Sequence, residues 1–393
     1  MVKSELRLLH IIMDEKFPDA AYRQFEVAAP GASTYLLPDK KNKIKYLQDI
    51  VPVRVSQLSF LSKRFIKSLE QYDAVIIHGM TNFSLEVIAR TSPKVKFIWI
   101  GMGFDYYDLL YQNVTEMLEA DTAKIVAELT QDLHKKTFKK KVKVALKHFI
   151  YPNATKKKAL IERISIFSPV IYSEYKAIQK CSDTFDADYM KWNYGAQSEL
   201  IDSKIEYGLV EGSSILIGNS ASPNNNHIEV FHILQRMSLP SEARIVVPLS
   251  YGDPIYREYI IREGKRIFGD RFQPITNFLD FKSYVNILKT CSVVIMNHKR
   301  QQGAGNIGIA LFLGAKIFMN PENLLLREYL DQGLTVFQIK DLKRELNSGI
   351  SGLNQEAAVF HRDYLKKEKG FNNHVENTQA LIERIIEFRP SKT

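Results

Sequence analysis

The segment most able to do chemistry runs from Val293 to Gly308 and reads VVIMNHKRQQGAGNIG. A buried strand enters a glycine-containing turn that opens a helix, so backbone N–H groups and the helix dipole converge on one spot and favour an anion there. Arg300 can fork across two phosphate oxygens, and Gln301 and Gln302 can donate amide hydrogen bonds to phosphate or to sugar hydroxyls. The backbone at Gly303 and Gly305 completes a site suited to a nucleoside diphosphate. Gly303, Gly305 and Gly308 also spell GxGxxG, the fingerprint of a dinucleotide site. Against that reading, His298-Lys-Arg-Gln-Gln302 intervenes between strand and first glycine, and the unit lies late in its domain.

Further polar clusters follow other strand-like runs. Gly218-Asn219-Ser220, with Asn226-His227 at the next helix start, offers backbone donors and short side chains for a pyrophosphate or a sugar; a helix cap and turn would explain Ser220 and Asn226 equally. Tyr251 follows the next strand, where its ring can stack on a base or ribose. Glu322 and Asn323 come after the strand that succeeds the RQQG helix, where Glu322 can accept from ribose hydroxyls. In the first half, Asp14-Glu15, His78-Gly79 and Gly103-Phe-Asp105 each follow a strand end. Asp105 is the first candidate for a general base or acceptor anchor, followed by His78 and Asp14.

The elements positioning these residues alternate. Leu6–Met13, Ser33–Leu37, Val51–Val55, Ala74–His78 and Lys96–Ile100 read as strands, with helical spacing over Leu58–Leu69 and Phe83–Ala89. Val170–Ser173 and Tyr189–Asn193 are expected to close the first half as strands. A second series begins at Ser214: strands to Ser220, over Ala243–Pro248, Phe272–Ile275, Ser292–Met296 and Ala315–Met319, with helices over His227–Leu234, Ile255–Ile267, Phe281–Leu288 and Asn306–Leu313. Such alternation predicts two α/β domains with mainly parallel sheets, whose ligands gather at the carboxyl ends of the strands. The expected domains are 1–207 and 208–393, hinged in the polar stretch Gly195–Gly212, with the C-terminal helix of about 375–388 free to stay or to cross back.

The 393 residues, 45% apolar and 11% aromatic, suit a folded two-domain protein. Cys181 and Cys291 lack metal or disulfide spacing, and a reducing compartment suits them. The apolar run Leu6–Met13 contains Arg7 and His10, unlike the core of a signal peptide, and no stretch has the length of an apolar membrane span. GxSxG and HExxH are absent, which leaves hydrolase triads and zinc proteases unsupported. A metal-independent donor site is expected, with Arg300 and helix N-termini offsetting leaving-group charge. The net charge of +10 is local: ten lysines and no acidic residue lie between His134 and Lys158. Lys136, Lys140, Lys143 and Lys147 share one helical face and Phe138, Val142, Ala145 and Phe149 another, a basic amphipathic helix inside a helical insertion over 113–167. It reads either as a solvated surface helix or as one drawn to an anionic membrane surface or a lipid-linked diphosphate. No RNP, KH, zinc-finger or helix-turn-helix pattern accompanies it, so no nucleic-acid partner is expected.

Ile215-Leu-Ile-Gly-Asn-Ser220, Asn226-His-Ile228, Val246-Val-Pro-Leu-Ser-Tyr-Gly252 and Arg300-Gln-Gln-Gly303 with Gly305 together resemble the 4-acetamido-4,6-dideoxygalactose (Fuc4NAc) transferases of enterobacterial common antigen synthesis, glycosyltransferase family 56. The likeness is strong over about 213–337. It is weaker in the first half, where His78-Gly79 and Gly103-x-Asp105 fall at matching places and Met102 stands where the family is expected to carry Trp. The resemblance implies a GT-B architecture, two Rossmann-like domains facing a cleft, with the acceptor on the first and the nucleotide-sugar on the second. It further implies a dTDP-activated amino-deoxysugar donor, no separate cofactor, and an undecaprenyl-diphosphate-linked saccharide acceptor at the cytoplasmic face of the inner membrane. The alternatives are an NAD(P)-dependent oxidoreductase using the GxGxxG turn and a non-enzymatic basic membrane-binding protein.

Overall fold

A computed structural model describes residues 6–136, 154–195, 198–202, 208–347 and 349–388. The chain forms two compact units, one from Met1–Gln112, Lys140–Ala196 and Lys369–Thr393, the other from Asn113–Lys139 and Gln197–Glu368.

The first unit carries seven strands: β1 (Leu8–Ile11), β2 (Ser33–Leu37), β3 (Val53–Arg54), β4 (Ala74–His78), β5 (Phe97–Ile100), β6 (Ile164–Ser168) and β7 (Asp188–Tyr189). They lie in the order β3-β2-β1-β4-β5-β6-β7, every pair parallel. Central strands such as β4, AVIIH, are buried throughout, as in a parallel sheet covered on both faces. Because the chain order reverses between β1 and β4, the loops after Ile11 and His78 open at the switch point.

The second unit carries β8 (Ser214–Ile217), β9 (Ile245–Pro248), β10 (Phe272–Ile275), β11 (Cys291–Met296), β12 (Lys316–Met319) and β13 (Phe337–Gln338). Their order is β10-β9-β8-β11-β12-β13, again all parallel. Here the reversal lies between β8 and β11, the two strands that feed the GNS and RQQG turns. β13, only two residues long, carries no periodicity and is absent from the sequence reading.

Three expectations change. The strand expected over Val170–Ser173 is instead the entry to the helix Tyr172–Cys181, and β6 lies upstream. Glu174 explains this: from the first helical turn its buried carboxylate accepts from Tyr106 Oη at 2.5 Å, Tyr107 Oη at 2.7 Å and its own helix's Ile171 N–H at 3.2 Å. Second, the region after Asn113 is not one insertion in the first unit. The helix Ala120–Lys136 belongs to the second, where Val126 and Leu129 pack on its core and Glu229 accepts from the N–H and Oγ1 of Thr122. Third, most of the lysine face, Lys140, Lys143 and Lys147 included, lies outside the described residues, and two lysines at the end of the basic run are held by acidic partners. Lys157 is buried, donating to Asp108 Oδ2 at 2.5 Å and the Asp105 carbonyl at 3.0 Å, and Lys156 pairs with Glu86.

The C-terminal helix Phe371–Glu387 belongs to the first unit. Leu381, Ile382 and Ile385 enter its core beside Phe25 and Trp192, and Thr378 Oγ1 accepts from Trp192 Nε1 at 2.8 Å. Among the described residues no helix is long and apolar enough to cross a membrane.

Beneath the switch point of the first sheet runs a buried chain: Ser33 Oγ, 3.2 Å from His10 Nε2; His10 Nδ1, 2.9 Å from His78 Nε2; His78 Nδ1, 2.8 Å from Tyr194 Oη. Burial depresses the His78 pKa to about 3, and burial with the neighbouring His78 holds His10 well below its ordinary 6.5. Both rings are therefore neutral when folded. In the unfolded chain they protonate below about pH 6.5. Their contribution is complete above that pH and is lost as pH falls toward 3, so the melting temperature should drop steadily between pH 7 and 4. His78→Asn should lower it at pH 7 and flatten this slope; a slope unchanged by the substitution would place the acid sensitivity elsewhere.

Candidate functional site

The second sheet's switch point is organised by asparagines. After β8 the chain turns through Gly218 at φ +67°, where an added Cβ would meet Asn225 Oδ1 at 2.5 Å and His227 Nε2 at 2.9 Å. Asn225, wholly buried, accepts through Oδ1 from Asn219 N–H and His298 Nε2, both at 2.8 Å, and donates through Nδ2 to Ser220 Oγ and the Ser222 carbonyl. It thus ties the GNS turn to the segment after β11. Asn226 adopts φ 49°, ψ 49°, the one left-handed non-glycine among the described residues. Its side chain accepts from Glu119 N–H at 2.9 Å and donates to the Asn297 carbonyl at 2.9 Å.

The RQQG turn closes on this frame. Gln302 Nε2 donates to Asn219 Oδ1 at 2.9 Å, and Asn219 Nδ2 donates to Tyr251 Oη at 2.7 Å, so residues following β8, β9 and β11 meet in one chain of hydrogen bonds. The Tyr251 ring itself is exposed. Gly303, at φ +69°, caps the helix Ala304–Phe312 without a side-chain acceptor, and no acidic residue occupies the first turn, which contains Gly305. Both features leave that helix end suited to an anion. Arg300 and Gln301 precede the cap, Gln301 buried and Arg300 partly exposed. Asn323 has a different task from the one the sequence suggests: buried, it caps its own helix by accepting from Leu325 N–H and donates to the carbonyls of His298 and Arg300, fixing the path of the turn. Glu322 stays exposed and pairs with Lys299 at 3.1 Å.

Three buried polar atoms here have no partner: His227 Nε2, His298 Nδ1 and Gln302 Oε1. Burial lowers the pKa of both histidines to about 3, so each ring is neutral. Since His298 Nε2 faces an acceptor oxygen it carries the proton, and Nδ1 presents a lone pair. His298 and Gln302 are therefore acceptors awaiting donors, in a wall that costs free energy while they remain unmet. His298 and Asn225 were not among the residues singled out from sequence; His298 sits inside a quoted segment and Asn225 just before one, but only the contact between loops 73 residues apart gives them meaning.

The first unit's candidates turn inward. Asp105 is buried, its Oδ2 accepting from Met80 N–H and Trp99 Nε1, both at 2.7 Å, and its Oδ1 from Met102 N–H at 2.8 Å. Burial raises its pKa, against these three donors and nearby Lys157. Asp14 accepts from the N–H groups of Lys45, Tyr46 and Leu47. His78 is engaged at both ring nitrogens. These side chains hold loops at the strand ends. Glu15, beside Asp14, stays exposed, its pKa raised by partial burial and by Asp14 despite Lys16. The chain does contain one Asp-x-Asp spacing, Asp186-Ala-Asp188, but it lies on the first unit, where Asp188 pairs with Arg384 at 2.5 Å.

Residues 189–368 match the family described as 4-alpha-L-fucosyltransferase, glycosyl transferase group 56. The chain is a glycosyltransferase, similar to group 56 over that stretch. Solved structures agree on its fold. HepE of Anabaena, in complex with UDP and glucose, is 13% identical over 98% of this chain and 97% of its own, with a TM-score of 0.53. Sucrose-phosphate synthase of Thermosynechococcus elongatus is 10% identical over 98% and 100%, TM-score 0.62. The lipopolysaccharide outer core galactosyltransferase WaaB, in its apo form, is 12% identical over 96% and 99%, TM-score 0.57. The transferase has the GT-B fold that the sequence led us to expect.

In this transferase Asn226 is the residue whose backbone and side chain both carry the site. Asn226→Gly should keep the left-handed turn and lose the side-chain bonds, whereas Asn226→Ala should lose both and be the less stable variant by a further ~1–2 kcal/mol. Urea unfolding of the pair checks this, and equal stabilities would mean that the turn relaxes without cost.

Proposed function

We propose that the transferase moves an amino-deoxyhexose of the Fuc4NAc type from a dTDP-sugar to a polyprenyl-diphosphate-linked saccharide, acting peripherally at the cytoplasmic face of the bacterial inner membrane. The observation that carries the donor half is the pairing of two chemistries at the β8/β11 switch point. The Gly303 helix end and Arg300 suit a diphosphate. The orphaned acceptors His298 Nδ1 and Gln302 Oε1 suit hydroxyl or N–H donors, which a nucleotide-sugar brings. Tyr251 offers its exposed ring for stacking. A nicotinamide dinucleotide is the poorer fit, since the polar HKRQQ segment stands between strand and glycine turn.

Sugar transfer needs the acceptor hydroxyl aligned with the anomeric carbon and the departing diphosphate stabilised. Arg300 and the Gly303 helix end take the second task. For the first, with Asp14, His78 and Asp105 committed to loops, the acceptor proton falls to Glu15. Its carboxylate lies exposed just past β1, at the first sheet's switch point. The match to group 56, the resemblance to Fuc4NAc transferases, and the HepE complex with UDP and glucose support this reading.

A thermal-shift panel of dTDP, UDP, GDP, ADP and NAD tests the donor: dTDP should raise the melting temperature most, and Arg300→Ala should abolish both shift and turnover. A larger shift with NAD would overturn the assignment. Glu15→Gln should keep the dTDP shift while turnover falls about 100-fold or more, the usual range for a lost general base. In the wild type the rate should rise with pH as Glu15 deprotonates, at a pH above the ordinary carboxylate range. Unchanged turnover in Glu15→Gln would remove it from catalysis.

A further inference from the structure

The edge of the first sheet carries a surface that neither the donor site nor the lysine-rich run accounts for. Four large apolar side chains stand in solvent within eleven residues: Val51 at 97% exposure, Val53 at 53%, Leu58 at 62% and Leu61 at 61%. Val53 belongs to β3, the edge strand, whose outer side has no neighbour in the sheet. Leu58 caps and Leu61 ends the short 3₁₀ turn Ser59–Leu61, where residues three apart eclipse and share a face. The helix Lys63–Ser68 follows at once and presents Lys63, Arg64 and Lys67 to solvent, Lys67 paired with Glu70.

A second basic group joins this face. Gln57 Nε2 donates to the Pro38 carbonyl, and Arg54 donates to the carbonyls of Asp39 and Asn42, which fastens the segment to the loop bearing exposed Lys40, Lys41, Lys43 and Lys45. From Asp39 to Lys67 eight basic residues stand against two aspartates, a net charge of +6. Both aspartates are engaged, Asp39 with Arg54 and Asp49 with Arg23.

Exposed aliphatic side chains among lysines in excess of their acidic partners are the wrong composition for the core of a protein interface, from which lysine is depleted. They match an anionic bilayer surface, where apolar tips enter the headgroup boundary while Lys and Arg meet lipid phosphates. We propose that the face formed by Val51–Lys67 and the Lys40–Lys45 loop docks the transferase on a membrane containing anionic phospholipid. The acceptor of the proposed reaction gives this docking its purpose, but the surface stands on its own residues.

Co-sedimentation of the full chain with vesicles tests it, comparing phosphatidylcholine alone with phosphatidylcholine containing phosphatidylglycerol, at low and high salt. Binding is expected to the anionic vesicles alone, weakening with salt. Leu58→Ser with Leu61→Ser, and separately Lys63→Glu with Arg64→Glu, should each lower partitioning about tenfold while melting temperature and dTDP shift stay at wild-type values. The single change Leu58→Ser serves where the double variant folds poorly. Partitioning unchanged in these variants but abolished by Lys140→Glu with Lys143→Glu would overturn the proposal, as would a wild type that ignores anionic vesicles. A wild type that binds vesicles but no nucleotide would leave the surface intact and remove the proposed donor.

Discussion

Everything proposed for the donor site depends on one buried amide. Asn225 Oδ1 accepts at once from the backbone of Asn219 and from the ring of His298, and so joins the loops that follow β8 and β11 across the point where the sheet reverses its order. A parallel sheet opens a crevice there by topology alone. What topology leaves undefined is the separation and facing of the two loops. Asn225 sets it from one side; Asn226, held in a left-handed turn and bonded to Asn297, sets it from the other. A carboxylate in place of the Asn225 amide could accept twice but could not donate to Ser220 and Ser222.

The same economy of buried polar groups separates the two halves of the molecule. In the first unit Asp14, His78 and Asp105 at the strand ends bond to the backbone or to neighbouring side chains. In the second, three unmet polar atoms gather at one switch point, on His227, His298 and Gln302. Buried donors and acceptors are paired in the great majority of folded structures, so a local cluster of exceptions marks a place where a ligand completes the network.

Much of this was legible in the residues. The βα alternation gave both sheets, because continuous apolar runs such as Ala74–His78 and Val293–Met296 mark buried parallel strands whatever their surroundings. The RQQG and GNS turns were legible because glycine, arginine and short polar side chains at strand ends have few other uses. What stayed hidden depended on contacts distant in sequence. The helix at Ala120 reads like its lysine-rich continuation, and only Val126, Leu129 and Thr122 meeting the second unit's core separates them. Asp105 looked like a base because burial by Trp99 and Met80 cannot be seen in a G-x-D spelling. Asn225 drew no notice in the sequence because its partners lie six and seventy-three positions away.

The central claim concerns where a diphosphate sits. A crystal structure of the transferase with dTDP bound decides it most directly. The account predicts phosphate oxygens within hydrogen-bond distance of the Gly303 helix end and of Arg300, with the base against Tyr251. Nucleotide bound away from the β8/β11 loops, or a site reached without Arg300 and the Gly303 turn, would contradict it.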